Sequence, residues 1–357
     1  MRWLTDRTIE HLRRVADWPD LNGTKYDVIE KIAQGGMASV YLARDRDLDR
    51  LVAVKVLSGA VADAQAADRM LKEARIVARL EHPSIVPVHD SGVLPDGRIY
   101  YTMKLVRGHR LDDYPKQAQS LTDRLRVFEK ICDAVSFAHA HGVIHRDLKP
   151  ENIMVGSFGE VLVMDWGVAK VAAGLLTPSH SAGPGKPTAA VLASPPTATA
   201  HGTVIGTPGY MSPEQASGEV DLIDGRTDVF ALGAILSFLV TTPFDQTVST
   251  ASDPGGHKET QTAVPKPGAI TRHRPAVPRP LDAICQKAQA PSRDDRYQTV
   301  TDLSHEIARY LAGLRVDAYP EGLFGTLKRL AVKYQTLILL VLAYLTMRIL
   351  LIFFAGT

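Results

Sequence analysis

Cysteine is nearly absent from this chain, with only Cys132 and Cys285 among 357 residues. The two are far apart, sit in apolar helix-like contexts and lack C-x-x-C spacing, which excludes a disulfide scaffold and argues against a cysteine metal site. They read as buried free thiols in a reducing compartment. An excess of one charge is also missing: 41 basic residues face 39 acidic ones, for a formal net charge of +2. No long run of either sign occurs, so nucleic acid is not an expected partner. The opening stretch MRWLTDRTIEHLRRV is charged throughout and contains no apolar core of the length a secretory signal requires. No internal repeat at solenoid or propeller spacing is visible. With 45% hydrophobic and 22% charged residues, a wholly disordered chain is excluded and two compact lobes can be filled.

The pattern along the chain changes several times. Residues 1–24 read as a short amphipathic helical appendage, with Ile9, Leu12 and Val15 at helical spacing, ending in a Trp-Pro-Asp turn. Residues 25–106 alternate in the manner of strands in YDVIEKI, SVYLARD, LVAVKVL, IVPVHDSG and IYYTMKLV, interrupted by one helical stretch, DRMLKEARIVARL. Residues 107–313 turn predominantly helical, with helices expected over Leu121 to His141, Thr227 to Val240, Leu281 to Ala290 and Val300 to Ala312. The expected fold class is therefore α+β, a β-rich lobe with one helix followed by an α-rich lobe. Within the second lobe, residues 171–202 and 245–280 are rich in Pro, Thr, Gly, Ala or Ser and read as loops.

A juxtamembrane stretch, 314–335, leads to TLILLVLAYLTMRILLIFFA, residues 336–355, which has the length of a transmembrane helix. Its thirteen Leu, Ile, Val and Phe sum to roughly −4 to −8 kcal/mol of insertion free energy, against about +2.5 to +3.5 for Arg348. Insertion wins, and Arg348 lies near enough to one end to snorkel. Lys328, Arg329 and Lys333 just before it put the bulk of the chain on the cytoplasmic side, which predicts a single-pass protein of the inner membrane. The alternative is an apolar helix docked on the rest of the chain or forming a homodimer.

In VAVK, Val52 and Val54 face one side of a strand while Ala53 and Lys55 face the other. An inward lysine needs an anion, and Glu73 in LKEARIV is the natural partner. The stretch VIHRDLKPENIMV packs Asp147, Lys149 and Asn152 into six residues between two apolar runs, too dense a set of functional groups for an ordinary connection.

That stretch resembles the catalytic loop of bacterial eukaryotic-like Ser/Thr protein kinases, and other motifs of the family follow in order. VAVK is similar to the nucleotide-pairing strand and MDWG, Met164 to Gly167, to the metal-binding D-F-G with Trp166 in place of phenylalanine; SPE, Ser212 to Glu214, stands for A-P-E. The resemblance runs from Tyr26 to about Gly313 and implies an ATP- and Mg²⁺-dependent enzyme, with Mn²⁺ a possible substitute, that phosphorylates Ser and Thr of proteins. It implies Asp147 as acceptor of the substrate proton, Lys149 steadying the phosphoryl group, and Lys55 on the α- and β-phosphates while paired with Glu73. Asn152 and Asp165 would hold the metal. Ile32, Gly35 and Gly36 would belong to the phosphate lid, Val40 and Ala53 to the adenine roof, Met154 to its floor, Met103 to the gatekeeper position, and Lys104 to Val106 to the hinge.

Arg146 would pair with a phosphorylated Thr197, Thr199 or Thr203, while Thr207 would shape the substrate site, Glu214 and Arg296 would form a buried ion pair, and Asp228 would brace the catalytic loop. Two other readings of the same chain are a scaffold that transfers no phosphate and a small-molecule phosphotransferase. The first would be marked by loss of Lys55, Asp147 or Asp165, all of which are present; the second is disfavoured by GTPGYMSPE.

The lid sequence IAQGGMASVYLA departs from G-x-G-x-x-G at Ala33 and Ala38. Alanine there is tolerable at negative φ and obstructive at positive φ. The expectation is a working lid with weakened or slower nucleotide handling.

Overall fold

The computed structural model describes residues 18–35, 38–58, 64–116, 118, 120–167, 169–171, 209–243, 277–320, 334 and 339–348. Outside them lie the expected helix over residues 1–17, Gly36, most of the loops 171–202 and 245–280, Thr197, Thr199, Thr203 and Thr207, most of the juxtamembrane stretch, and both ends of the apolar segment 336–355.

Alternating β-branched and aromatic residues build five strands: β1 (Tyr26–Gln34), β2 (Ala38–Asp45), β3 (Arg50–Leu57), β4 (Val88–Val93) and β5 (Ile99–Lys104). They form one antiparallel sheet in the order β1-β2-β3-β5-β4. Period two decides what each face of β3 meets. Val52, Val54 and Val56 pack with Tyr26, Tyr41 and Tyr100 on one side. On the other, Leu57 packs with Met70 and Ala74 of helix α1 (Ala64–Arg79). Along α1, Met70, Glu73, Ala74 and Val77 recur at helical spacing and are all buried, so the glutamate shares the face turned to the sheet. The appendage is tied to this lobe through Trp18, whose ring meets Tyr41 edge-on at 5.7 Å and whose carbonyl accepts from Arg98 at 3.2 Å.

The strand expected to begin at Ile85 begins instead at Val88. Pro87 has no N–H to offer a ladder, and its carbonyl accepts from the Lys104 N–H at 3.1 Å. Ile85 makes a parallel bridge to Val163, so this segment stitches the two lobes together.

The second lobe begins with β6 (Gly108–Arg110) and continues with α2 (Leu121–Ala140), β7 (Val143–Ile144), β8 (Ile153–Gly156), β9 (Val161–Val163) and β10 (Lys170–Val171). It ends with α3 (Pro213–Ala216), α4 (Gly225–Thr241), α5 (Arg279–Ala288) and α6 (Val300–Leu311). The long helices fall within two residues of their expected bounds, and three of them start on a capping side chain: Ser120, Asp224 and Thr299 each accept a backbone N–H of the first turn. Phe128, Ile131 and Val135 of α2 form one core with Leu232, Ile235 and Leu239 of α4 and with Leu303 and Ile307 of α6. Both cysteines are buried thiols outside any disulfide, as expected. The sheet β6-β8-β9 flanks the HRDLKPEN loop, and its strands are too short to have announced themselves by alternation.

Among the described residues, no helix is long and apolar enough to cross a membrane. Residues 339–348 are helical and exposed throughout.

Helix α3 is fastened by Glu214, whose carboxylate accepts from Arg296 at 2.8 and 2.9 Å and from the Thr227 hydroxyl at 2.9 Å. Arg296 also donates to the carbonyls of Ala290, Arg226 and Pro291, so both ions are buried with their partners supplied. Burial works against the Glu214 charge, but the Arg296 hydrogen bonds outweigh it and hold the pKa at about 2, against an ordinary 4.5. A depressed carboxylate contributes stability that is present above the unfolded value and lost as pH falls toward the folded one. Glu214→Gln is therefore expected to lose about 3 to 5 kcal/mol at neutral pH in urea unfolding, because it strands Arg296. It should also flatten the acid limb of the stability curve between about pH 4.5 and 2.

Candidate active site

On the sheet side of the cleft, the β3–β5 register sets Lys55 opposite Tyr101. Lys55 Nζ donates to Glu73 Oε1 at 2.8 Å and to Asp165 Oδ1 at 3.3 Å. Burial works against the ammonium, but the Glu73 and Asp165 carboxylates outweigh it, so its pKa stands above the ordinary lysine value. The Tyr101 hydroxyl donates to the same Glu73 oxygen at 2.9 Å.

On the helical side, the loop between β7 and β8 carries the other candidates. Asp147 Oδ2 accepts from Lys149 Nζ at 2.8 Å and from Asn152 Nδ2 at 3.2 Å, while the Asp147 carbonyl accepts from Asn152 at 2.8 Å. The Met164 N–H donates to the Asn152 carbonyl at 2.8 Å, which sets Asp165 beside that loop. Burial works against ionised Asp165, but Lys55 and, further down, His145 and Lys149 outweigh it and lower its pKa.

The backbone of this loop is held from beneath. Asp228 on α4 is fully buried and accepts from the backbone N–H of His145 at 2.8 Å, from that of Arg146 at 2.9 Å and from His139 Nε2 at 2.7 Å. Burial again opposes the charge, and His139, His145 and the Arg146 N–H overcome it, leaving the pKa below the ordinary aspartate range. Gln215 donates to the Arg146 carbonyl at 2.7 Å. These fixings matter because Arg146 and Asp165 sit at φ +70° and +60°, a left-handed conformation that non-glycine residues adopt only when the surroundings over-determine it.

Lys55, Glu73, Asn152 and Asp165 all line one cavity of about 260 Å³ between the lobes, with Ala33, Gly35, Ala38, Val40 and Met103. A larger hollow of about 810 Å³ lies over residues 18–24, 26–28 and Arg46, and holds none of these side chains. Of the expected base-binding residues, Val40 and Met103 line the cavity; Ile32, Ala53, Lys104, Val106 and Met154 are not among its walls. Ile32 is 45% exposed on β1, whereas Ala53 is buried within the sheet and the Lys104 N–H is committed to Pro87. Val77, Val86, Val88, Tyr101 and Met164 also line the cavity.

In the lid, the Gly35 N–H donates to the Ala38 carbonyl at 2.8 Å. Among the described residues only Asp49, Arg146 and Asp165 combine a side chain with positive φ, so neither Ala33 nor Ala38 needs glycine. The expectation of weakened nucleotide handling thus loses its backbone ground.

Three functional neighbours escaped the reading of the sequence. Tyr101 could have been found by following the alternation of IYYTMK back from Met103, which puts both on the Lys55 face. His145 donates from Nε2 to the Met164 carbonyl at 3.1 Å, accepts the Asp147 N–H at Nδ1 at 3.3 Å and meets the buried Trp166 ring at 4.5 Å. His139 carried no local signal at all.

The protein kinase domain family matches residues 26–264, more than half of the chain. The chain belongs to that family. The Ser/Thr-protein kinase PknD of Protochlamydia amoebophila is 36% identical to it over 313 residues, 81% of this chain and 30% of that protein. Ser/Thr-protein kinase PknB of Mycolicibacterium smegmatis is 36% identical over 304 residues, 82% of this chain and 44% of that protein. This chain thus spans less than half the length of either relative. The crystal structure of the Mycobacterium tuberculosis PknI kinase domain shares the two-lobed fold, with a TM-score of 0.53 at 22% identity, covering 81% of this chain and 96% of that one.

Asp228→Asn tests the brace. An asparagine oxygen can serve only one of the two backbone donors and turns an N–H toward the other, so the loss is expected at about 1.5 to 3 kcal/mol, the range for hydrogen bonds to a charged group. It should appear as a lower urea midpoint with an unchanged slope, while Asp221→Asn on the exposed surface leaves the midpoint where it was.

Proposed function

We propose that this chain is a Ser/Thr protein kinase that transfers the γ-phosphoryl group of ATP to hydroxyl groups of protein substrates in bacterial signalling. The observation that carries the reading is the convergence of Lys55, Glu73, Asn152 and Asp165 on one cleft, with Asp147 hydrogen-bonded to Asn152 beside it. In the reaction, the substrate hydroxyl oxygen forms the new P–O bond as the bond between the β-γ bridging oxygen and the γ-phosphorus breaks, and the hydroxyl proton passes to Asp147. Lys55 supplies a fixed positive charge to the α- and β-phosphates, and Lys149, already 2.8 Å from Asp147, supplies another at the transferring group.

The Asp165 carboxylate and the Asn152 amide offer oxygen donors on the wall of the same cavity. That pair suits Mg²⁺, or Mn²⁺ in its place, which takes one or two protein ligands and completes its shell with water and phosphate oxygens. The metal's contribution when bound is to neutralise phosphate charge. The GTPGYMSPE segment, Gly206 to Glu214, supports a protein substrate, and its described end is fixed to the catalytic loop by Gln215. Arg146 carries a buried Nε without a hydrogen-bond partner among the described residues, which supports a role in receiving a phosphorylated Thr197, Thr199 or Thr203.

The domain reading goes with this one: residues 25–106 and 107–313 form the two lobes, and 314–335 lead to a single membrane span over 336–355 with the kinase on the cytoplasmic side. The exposure of Leu339, Leu340, Val341, Leu342, Tyr344 and Leu345 supports the span over a helix docked on the lobes. Fractionation without detergent checks it: the full chain should sediment with membranes and a chain lacking 334–357 should not. Recovery of the full chain in the soluble fraction rejects the anchor.

Activity is tested with labelled ATP, Mg²⁺ or Mn²⁺ and a generic basic protein. The wild type should incorporate label, and Asp147→Asn should lose at least about a hundredfold in rate, the lower range for a general base. Equal, near-zero incorporation by both under all conditions rejects the enzyme reading.

A further inference from the structure

Two donors converge on one oxygen of Glu73. Lys55 Nζ approaches Oε1 at 2.8 Å and the Tyr101 hydroxyl at 2.9 Å. The donors come from adjacent strands in direct register, and the Lys55 ammonium lies 5.6 Å from the centre of the Tyr101 ring. Both Tyr101 and Glu73 are buried, and both border the same cavity as Lys55. Burial pushes the Tyr101 phenol well above its ordinary pKa, which keeps its proton in place as a donor.

The two bonds differ in what can compete for them. Lys55 also bonds Asp165 and faces the cleft, so an anion entering the cleft draws on the same ammonium that holds Glu73. Tyr101 gives its one hydroxyl proton to Glu73. We propose that Tyr101 is a positioning residue: from the sheet it pins Glu73, and with it helix α1, in the place where Glu73 can orient Lys55. The pair is then set before a nucleotide arrives, and it keeps its geometry when Lys55 turns toward phosphate. Preorganisation of this kind lowers the reordering that binding would otherwise require. The consequence for nucleotide rests on the kinase reading; the anchoring of α1 does not.

The test is a double-mutant cycle on the full chain with Tyr101→Phe and Glu73→Met, read by two measurements. Phenylalanine keeps the ring and its packing, so a purely space-filling role predicts no change. Positioning predicts faster backbone amide exchange in α1 of Tyr101→Phe, and ATP–Mg²⁺ binding by calorimetry weakened about tenfold, the scale of a hydrogen bond to a charged group. In the Glu73→Met background, where the acceptor is gone, Tyr101→Phe should alter neither by more than about twofold, the limit within which independent effects add. Unchanged exchange, unchanged affinity, or an equal change in both backgrounds overturns the proposal. A wild-type chain that transfers no phosphate sinks the kinase reading and leaves the exchange comparison standing.

Discussion

An ammonium group buried at the junction of two lobes costs several kcal/mol unless anions meet it there. Lys55, 17% exposed at its side chain, is met by Glu73 from α1 and by Asp165 from the far lobe. Those two contacts impose most of the architecture around the cleft. The first requires a helix laid across the sheet with a glutamate on its buried face. The second requires that the segment after β9 bring a carboxylate across to the sheet, which the Ile85–Val163 bridge and the Pro87–Lys104 bond help to hold in reach.

The helical lobe answers with its own buried charges. Asp228 spends its carboxylate on the backbone of the loop that presents Asp147, and Glu214 with Arg296 fixes α3, whose Gln215 reaches back to Arg146. Arg146, in a left-handed conformation, lies where these supports meet, and Asp165, in another, is met by Lys55. The local strain is held by the surrounding hydrogen bonds, and it directs the functional side chains toward the cleft.

Much of this was legible in the chain. The period-two pattern of LVAVKVL placed Lys55 opposite the apolar face, and the need of an inward lysine for an anion pointed to Glu73 on the one expected helix of the first lobe. The long helices of the second lobe were readable from the period of their apolar residues. Other features depend on partners distant in sequence. Alternation puts Tyr101 on the Lys55 face, but that its hydroxyl reaches Glu73 depends on the β3–β5 register and on where α1 lies over the sheet. His139 and Asp228 are 89 positions apart, and nothing local links them. The short strands around the catalytic loop carry too few residues to show a period. The lid alanines posed a question that only backbone angles could answer, and both alanines lie outside the positive-φ set.

The central claim is that charges from both lobes converge to form one nucleotide–metal site. Paramagnetic resonance of Mn²⁺ titrated into the wild-type chain and into Asp165→Asn, each with and without a non-hydrolysable ATP analogue, tests it most directly. The account predicts tight Mn²⁺ binding by the wild type only when the nucleotide is present, and its loss in Asp165→Asn. Mn²⁺ binding that is indifferent to the nucleotide or to Asp165 would contradict it.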